Sequence, residues 1–271
     1  MTRLKVEDIS VKLGDKVVLG NVSFHVDQGE LVGLIGPNGA GKTTLIRTLT
    51  GLQTVECGVV RLDDQPLARI DRRALARAVA YLPNGAPCHW PITVRQVVAL
   101  GRLPHARGWR DRDQADNDAI ADAMTATDVS HLCDRKVSAL SSGERVRVLL
   151  ARAIAAEPDI LLADEPTTSL DPFHQLHVME LLRERATGGE GVVAVMHDLS
   201  LAARFCHRIV LIQDGRLVAN GAPADVLTAD NIRSAYGVEA QFGEIDGELY
   251  LVPWDRLASA PAVAPDLSGV A

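Results

Sequence analysis

Residues 36 to 43 read Gly36-Pro37-Asn38-Gly39-Ala40-Gly41-Lys42-Thr43, the spacing G-x-x-x-x-G-K-[ST]. A buried-strand pattern, "ELVGLIG", leads into it, and "TTLIRTLTGL" follows with Leu45, Ile46 and Leu49 on one helical face. Strand, glycine loop and helix in this order restrict the chain to an α/β fold with a mostly parallel sheet, because the loop works only at a strand's carboxyl end. Glycines let the backbone close around phosphate, and the amides of Gly39 to Thr44 donate to it. Lys42 supplies charge to the terminal phosphates, and the Thr43 hydroxyl can ligate Mg²⁺. The segment is therefore read as a nucleoside triphosphate site.

"ILLADE" ends an apolar strand in Asp164 and Glu165. In a triphosphate site the first acid reaches Mg²⁺ and the second polarises the attacking water. His197 ends the strand "VVAVMH" on the same predicted sheet edge and can hydrogen-bond the γ-phosphate. His25, His89, His105, His131, His174, His177 and His207 are assigned no catalytic role, and His174 with His177 lack a third metal ligand. The stretch "ALSSGERVRVLLARAI" starts a second helix at Ser141, Ser142 and Gly143, where unpaired amides suit another anion or, more plainly, a helix cap.

The chain has 271 residues, 47% apolar, enough for a full core. A net charge of -7 argues against nucleic acid as a partner. Cys57, Cys88, Cys133 and Cys206 show no metal-ligand spacing and suit reduced thiols. The first residues alternate like a strand, and no run of about 18 apolar residues follows. These features predict a cytosolic chain that meets a membrane only through a partner.

Strands are expected through residues 3 to 35, with a turn at Gly14 and Asp15, and a helical insertion from about 86 to 155. "DILLADE" and "GVVAVMHD" read as buried strands around a helix, "PFHQLHVMELLRERA", and Asp214 with Gly215 marks a hairpin. Residues 1–255 are expected to form one domain, and 256–271, Ala- and Pro-rich, a disordered tail.

The order of these motifs, glycine loop, L-S-S-G-E, ILLADE, Ser169-Leu170-Asp171 and His197, resembles the ATP-binding subunit of ABC transporters over residues 3 to 255. The resemblance implies a P-loop NTPase core with an antiparallel β subdomain and an inserted α-helical subdomain, binding ATP and Mg²⁺. It implies two copies facing head to tail, with Ser141, Ser142 and Gly143 of one copy covering the γ-phosphate held by the other. Asp171 lies in the implied D-loop at that interface, and His197 matches the switch histidine. Three positions depart from the family pattern: Asn84 replaces a Gln that approaches the metal, Glu144 replaces the Gln of the signature, and Leu13 stands where an aromatic residue stacks on adenine.

The implied partners are two integral membrane permease subunits at the cytoplasmic face of the cell membrane and, indirectly, an external solute-binding protein. "TVRQVVALGRLPH" and the segment "GAPADVLTADNIRSAYGV" resemble subunits serving iron-siderophore, haem and vitamin B12 import. A zinc or manganese importer, a soluble ABC ATPase acting on nucleic acid or ribosomes, and a nucleotide-binding regulator without turnover stay open as alternatives. The segment from Gly85 to Gly101, with Cys88, Trp90, Pro91 and Ile92, is the expected permease-docking surface.

Overall fold

The computed structural model describes residues 4–85, 91–106 and 113–257. β1 (Leu4–Leu13) and β2 (Lys16–Val26) pair across the turn at Gly14 and Asp15. β3 (Leu31–Ile35) runs through the glycine loop into α1 (Lys42–Leu49). β4 (Cys57–Leu62), β5 (Gln65–Pro66), α2 (Arg72–Ala78) and β6 (Val79–Leu82) follow. The predicted insertion contains α3 (Val94–Ala99), α4 (Gln114–Ala126) and α5 (Ser142–Ile154). Then come β7 (Ile160–Asp164), α6 (Pro172–Thr187), β8 (Gly191–Val195), α7 (Leu199–Phe205), β9 (Arg208–Gln213) and β10 (Arg216–Gly221). α8 (Pro223–Val226), α9 (Ala229–Tyr236), β11 (Val238–Ile245) and β12 (Glu248–Arg256) complete the described chain.

The central sheet has the order β10-β9-β3-β8-β7-β6, parallel except for β10. Its middle strands are apolar on both faces, as a sheet covered on both sides requires. Val32, Leu34, Ile160, Leu162, Val193 and Val195 face α1 and the antiparallel sheet β2-β1-β4-β5. Leu31, Ile35, Leu161, Ala163, Val192 and Ala194 face the helices of the insertion together with α6 and α7. The alternation follows the two-residue period of a strand. In consequence the carboxyl ends of β3, β6, β7 and β8 all open on one edge.

Residues 238 to 256 form a two-stranded sheet that the sequence reading did not contain. β12 continues through Arg256, and the Leu257 amide donates to Gly237 O, two residues past the expected boundary at 255. Of the expected tail, 256–271, residues 258–271 lie outside the described residues.

A largely buried arginine, Arg102, gathers ion pairs within the insertion and at its exit toward β7. Arg102, 7% exposed, reaches Asp116 at 2.7 Å and Glu157 at 2.6 Å, and donates to Ala155 O at 2.9 Å. Neighbouring Gly101 allows this approach, since a Cβ there would stand 2.2 Å from Arg152 O. Replacing Arg102 by Ala strands the nearly buried Asp116 carboxylate and is expected to cost about 3 kcal/mol in chemical denaturation. A loss below about 0.5 kcal/mol, the range of an ordinary surface substitution, would show that the cluster does not hold the insertion.

Candidate nucleotide site

The glycine loop has a backbone that side chains would obstruct. Gly36 adopts φ +149, and a Cβ there would lie 2.0 Å from Ile212 O. Gly41 adopts φ +101 against Leu19 and Val18 O of β2, and it starts α1 with no side-chain cap, leaving the first-turn amides for a ligand. Lys42 is buried and turns back over the loop, its Nζ donating to Gly36 O at 2.7 Å and Pro37 O at 3.0 Å. Burial lowers its pKa, while the charges of Glu165 and Asp164 oppose the shift. The groove beside it is lined by Val18, Asn38, Gly39, Gly41, Lys42, Thr43, Thr44 and Glu165.

Asp164 ends β7 and is 2% exposed. Its Oδ1 is buried and makes no hydrogen bond among the described residues, whereas Oδ2 accepts from the Tyr81 hydroxyl at 3.5 Å. Burial raises the Asp164 carboxyl above its ordinary value, with the Thr43 and Tyr81 hydroxyls pulling the other way and the Glu165 charge adding to the rise. Glu165 follows in the left-handed region at φ +56, unusual for a non-glycine residue and typical of strain held at working sites. Its Oε1 lies 2.6 Å from His197 Nε2, and its Oε2 accepts the Thr168 hydroxyl at 3.1 Å. Lys42, Asp164, Glu165 and His197, drawn from three separate segments, lie at the same sheet edge.

The second helix start is both a cap and an open turn. Ser141 Oγ accepts the Glu144 amide at 3.2 Å, and Glu144 Oε2 accepts the Ser141 amide at 2.7 Å, a reciprocal capping box. The Ser141 amide holds the Glu144 carboxyl below its ordinary pKa. The Ser141 side chain is therefore committed to the cap, and Glu144 performs the capping that a Gln would. The S-x-x-E spacing carried that signal. Ser142 and Gly143 occupy the first turn, and a Cβ on Gly143 would stand 3.1 Å from Ser169 O, so the glycine lets the loop before Asp171 come close. Asp171 itself caps α6.

Asn84, Ser142, Asp164, Glu165, Thr168 and Ser169 share a second cleft that adjoins the first at Glu165. Residues 141–143 do not line the P-loop groove within the chain. Leu13 sits half-exposed at the end of β1 and does not line the groove either; Val18, which the sequence reading passed over, does. Cys88 and Trp90 lie outside the described residues, Pro91 is exposed, and Ile92 packs partly against the core.

Residues 19–168 match the ABC transporter family. The chain belongs to that family. It is 44% identical over 252 residues to the hemin import ATP-binding protein of Rhodococcus jostii, spanning 92% of this chain and 86% of that protein. It is 42% identical over 263 residues to the cobalamin import ATP-binding protein of Halobacterium salinarum, spanning 96% of this chain and 65% of that one. A dimeric bacterial ABC transporter cassette of known structure superposes with a TM-score of 0.72 at 27% identity, covering 81% of this chain and 98% of that one. This ABC cassette is an ATPase coupled to transport, as the motif order implied. Among the described residues no helix is long and apolar enough to cross a membrane.

Proposed function

We propose that this ABC cassette is the motor subunit of an importer that takes up a metal chelate, iron-siderophore, haem or cobalamin, through a separate permease at the cytoplasmic face of the membrane. The observation that carries it is the convergence of the P-loop, Asp164, Glu165 and His197 in a chain whose relatives import hemin and cobalamin. A soluble ATPase for nucleic acid shares those motifs, but the charge of -7 works against it.

The residues fit Mg²⁺, because the buried Asp164 carboxylate and the Thr43 hydroxyl lie close enough to interact and together offer oxygen ligands, with Asn84 on the adjoining cleft. Bound with ATP, the ion neutralises phosphate charge. Lys42 leaves the loop carbonyls for the β- and γ-phosphates, and the amides of the loop and of the first turn of α1 donate to phosphate oxygens. Glu165 takes the proton of the attacking water, and His197, already in contact with it, orients the carboxylate toward the γ-phosphate. Without an aromatic residue at position 13, the base is held by apolar contact, for which Val18 lines the groove and half-exposed Leu13 lies outside it.

Two copies close head to tail, with Ser142 and Gly143 of one covering the ATP held by the other, and Asp171 at the interface. The cycle is the closing and reopening of that interface. Asn84 starts the segment that reports nucleotide state to two permease subunits, and exposed Pro91, Leu100 and Leu103 lie within or just beyond it. An external binding protein delivers the solute and never touches this chain.

Reconstitution of the chain with its permease in proteoliposomes, followed by ATPase assays with the loaded binding protein, tests the reading. Stimulation by a ferric siderophore, hemin or cobalamin is expected. Stimulation by zinc or manganese alone, or by RNA without permease, would overturn it.

A further inference from the structure

The loop from Ser169 to Asp171 needs outside support. Ser169 stands at φ +66, a conformation that a serine keeps only where its surroundings impose it. One support is visible at Asp171, whose carboxylate accepts the His174 amide at 2.9 Å and also faces His174 Nδ1 at 2.9 and 3.0 Å. The His174 amide and ring hold the Asp171 carboxyl below its ordinary pKa, so it meets the imidazole as an anion. The other ring nitrogen, Nε2, lies 3.9 Å from Asp128 Oδ2, a contact that is an ion pair only when the imidazole is protonated. Asp128 stands in the turn after α4, again with positive φ, and Arg147 of α5 grips it, Nη1 reaching Oδ2 at 3.0 Å and the backbone oxygen at 2.7 Å. Arg147 is 5% exposed and sits five residues beyond Ser142 on the same helix. The edge of Phe173 packs on the imidazole, with ring centroids 5.2 Å apart.

We infer that His174 is a positioning residue that fixes the Ser169–Asp171 loop relative to the start of α5, by joining Asp171 on the core to Asp128 and Arg147 on the inserted helices. The close approach of Ser169 O to Gly143, where an added Cβ would stand 3.1 Å from it, completes the circuit, so loop and signature turn advance on a neighbouring copy as one unit. His174 lines neither the P-loop groove nor the adjoining cleft and is assigned no chemistry. The inference rests on the head-to-tail reading, in which both elements face the other copy's ATP.

The test is a double-mutant cycle of His174→Ala and Asp128→Asn, with His174→Asn as the conservative variant. His174→Ala is expected to lower kcat roughly 10- to 100-fold, the range for misplaced groups, with ATP affinity and thermal unfolding little changed. Asp128→Asn should lower kcat in the same sense, and the double variant should lose less than the sum of the two single losses. His174→Asn keeps an amide where Nδ1 stands, so it should recover the part carried by Asp171 while becoming indifferent to Asp128→Asn. ATP-dependent dimerisation in a Glu165→Gln background should weaken in parallel. Unchanged kcat, or strictly additive losses, would overturn the inference, as would a fall in melting temperature that alone accounts for the loss. If instead the head-to-tail reading fails, Ser142→Arg hydrolyses ATP normally, which separates the two failures.

Discussion

Glu165→Gln is expected to bind MgATP at least as tightly as the native chain while losing about 10²- to 10⁴-fold in hydrolysis, the usual contribution of a positioned general base. The substitution keeps length and hydrogen-bonding capacity, so Thr168 and His197 keep a partner where the carboxylate now accepts at 3.1 Å and pairs at 2.6 Å. It removes the basic oxygen. It also removes one of two negative charges beside Lys42, and with Asp164 already adjacent, that relieves repulsion against the phosphates. Binding therefore outlasts chemistry, and the closed dimer should accumulate on MgATP. Single-turnover hydrolysis and size-exclusion chromatography with and without MgATP check both halves. Native turnover in the variant would remove Glu165 from the mechanism.

The edge that carries the candidate site was legible because its parts are local in sequence. A glycine loop needs its own strand and helix, and an apolar strand that stops at two acids shows where a sheet ends. What was not legible depends on contacts between distant segments. Val18 reaches the groove because β2 lies against Gly41, whose missing Cβ leaves room for Leu19, and nothing in the pattern of β2 announces that. The β11–β12 hairpin is hidden for a similar reason. Its Gly243, a poor strand residue, lies under the Tyr250 ring, and a Cβ there would come within 2.3 Å of the Tyr250 hydroxyl. Leu251 is buried and Ser200 Oγ bonds its backbone, contacts that exist only once α7 is in place. His174 was set aside as non-catalytic, and its place beside Asp171, three residues before it, and Asp128, forty-six before it, was not legible, because the second neighbour is distant in sequence.

The head-to-tail reading makes a demand that a self-sufficient chain does not. Within one chain, Ser142 opens on the cleft with Asn84 and Ser169 rather than on the P-loop groove, so its first-turn amides have no phosphate of their own to serve. Ser142→Arg should leave ATP binding to the single chain nearly unchanged and abolish hydrolysis, because a long side chain occupies the space where backbone must approach the other copy's γ-phosphate. Lys42→Ala should fail earlier, at binding, since the lysine serves the phosphates in the ground state. Mixed together, the two dead variants form heterodimers in which one site joins an intact P-loop to an intact signature turn and the other has neither. An equal mixture should then regain at most roughly a quarter of the native sites, and only through a symmetric two-copy assembly. ATPase activity that appears on mixing, rises with protein concentration and is absent from each variant alone is the expected result. If Ser142→Arg alone hydrolyses ATP normally, the turn at 141–144 is a helix cap and nothing more.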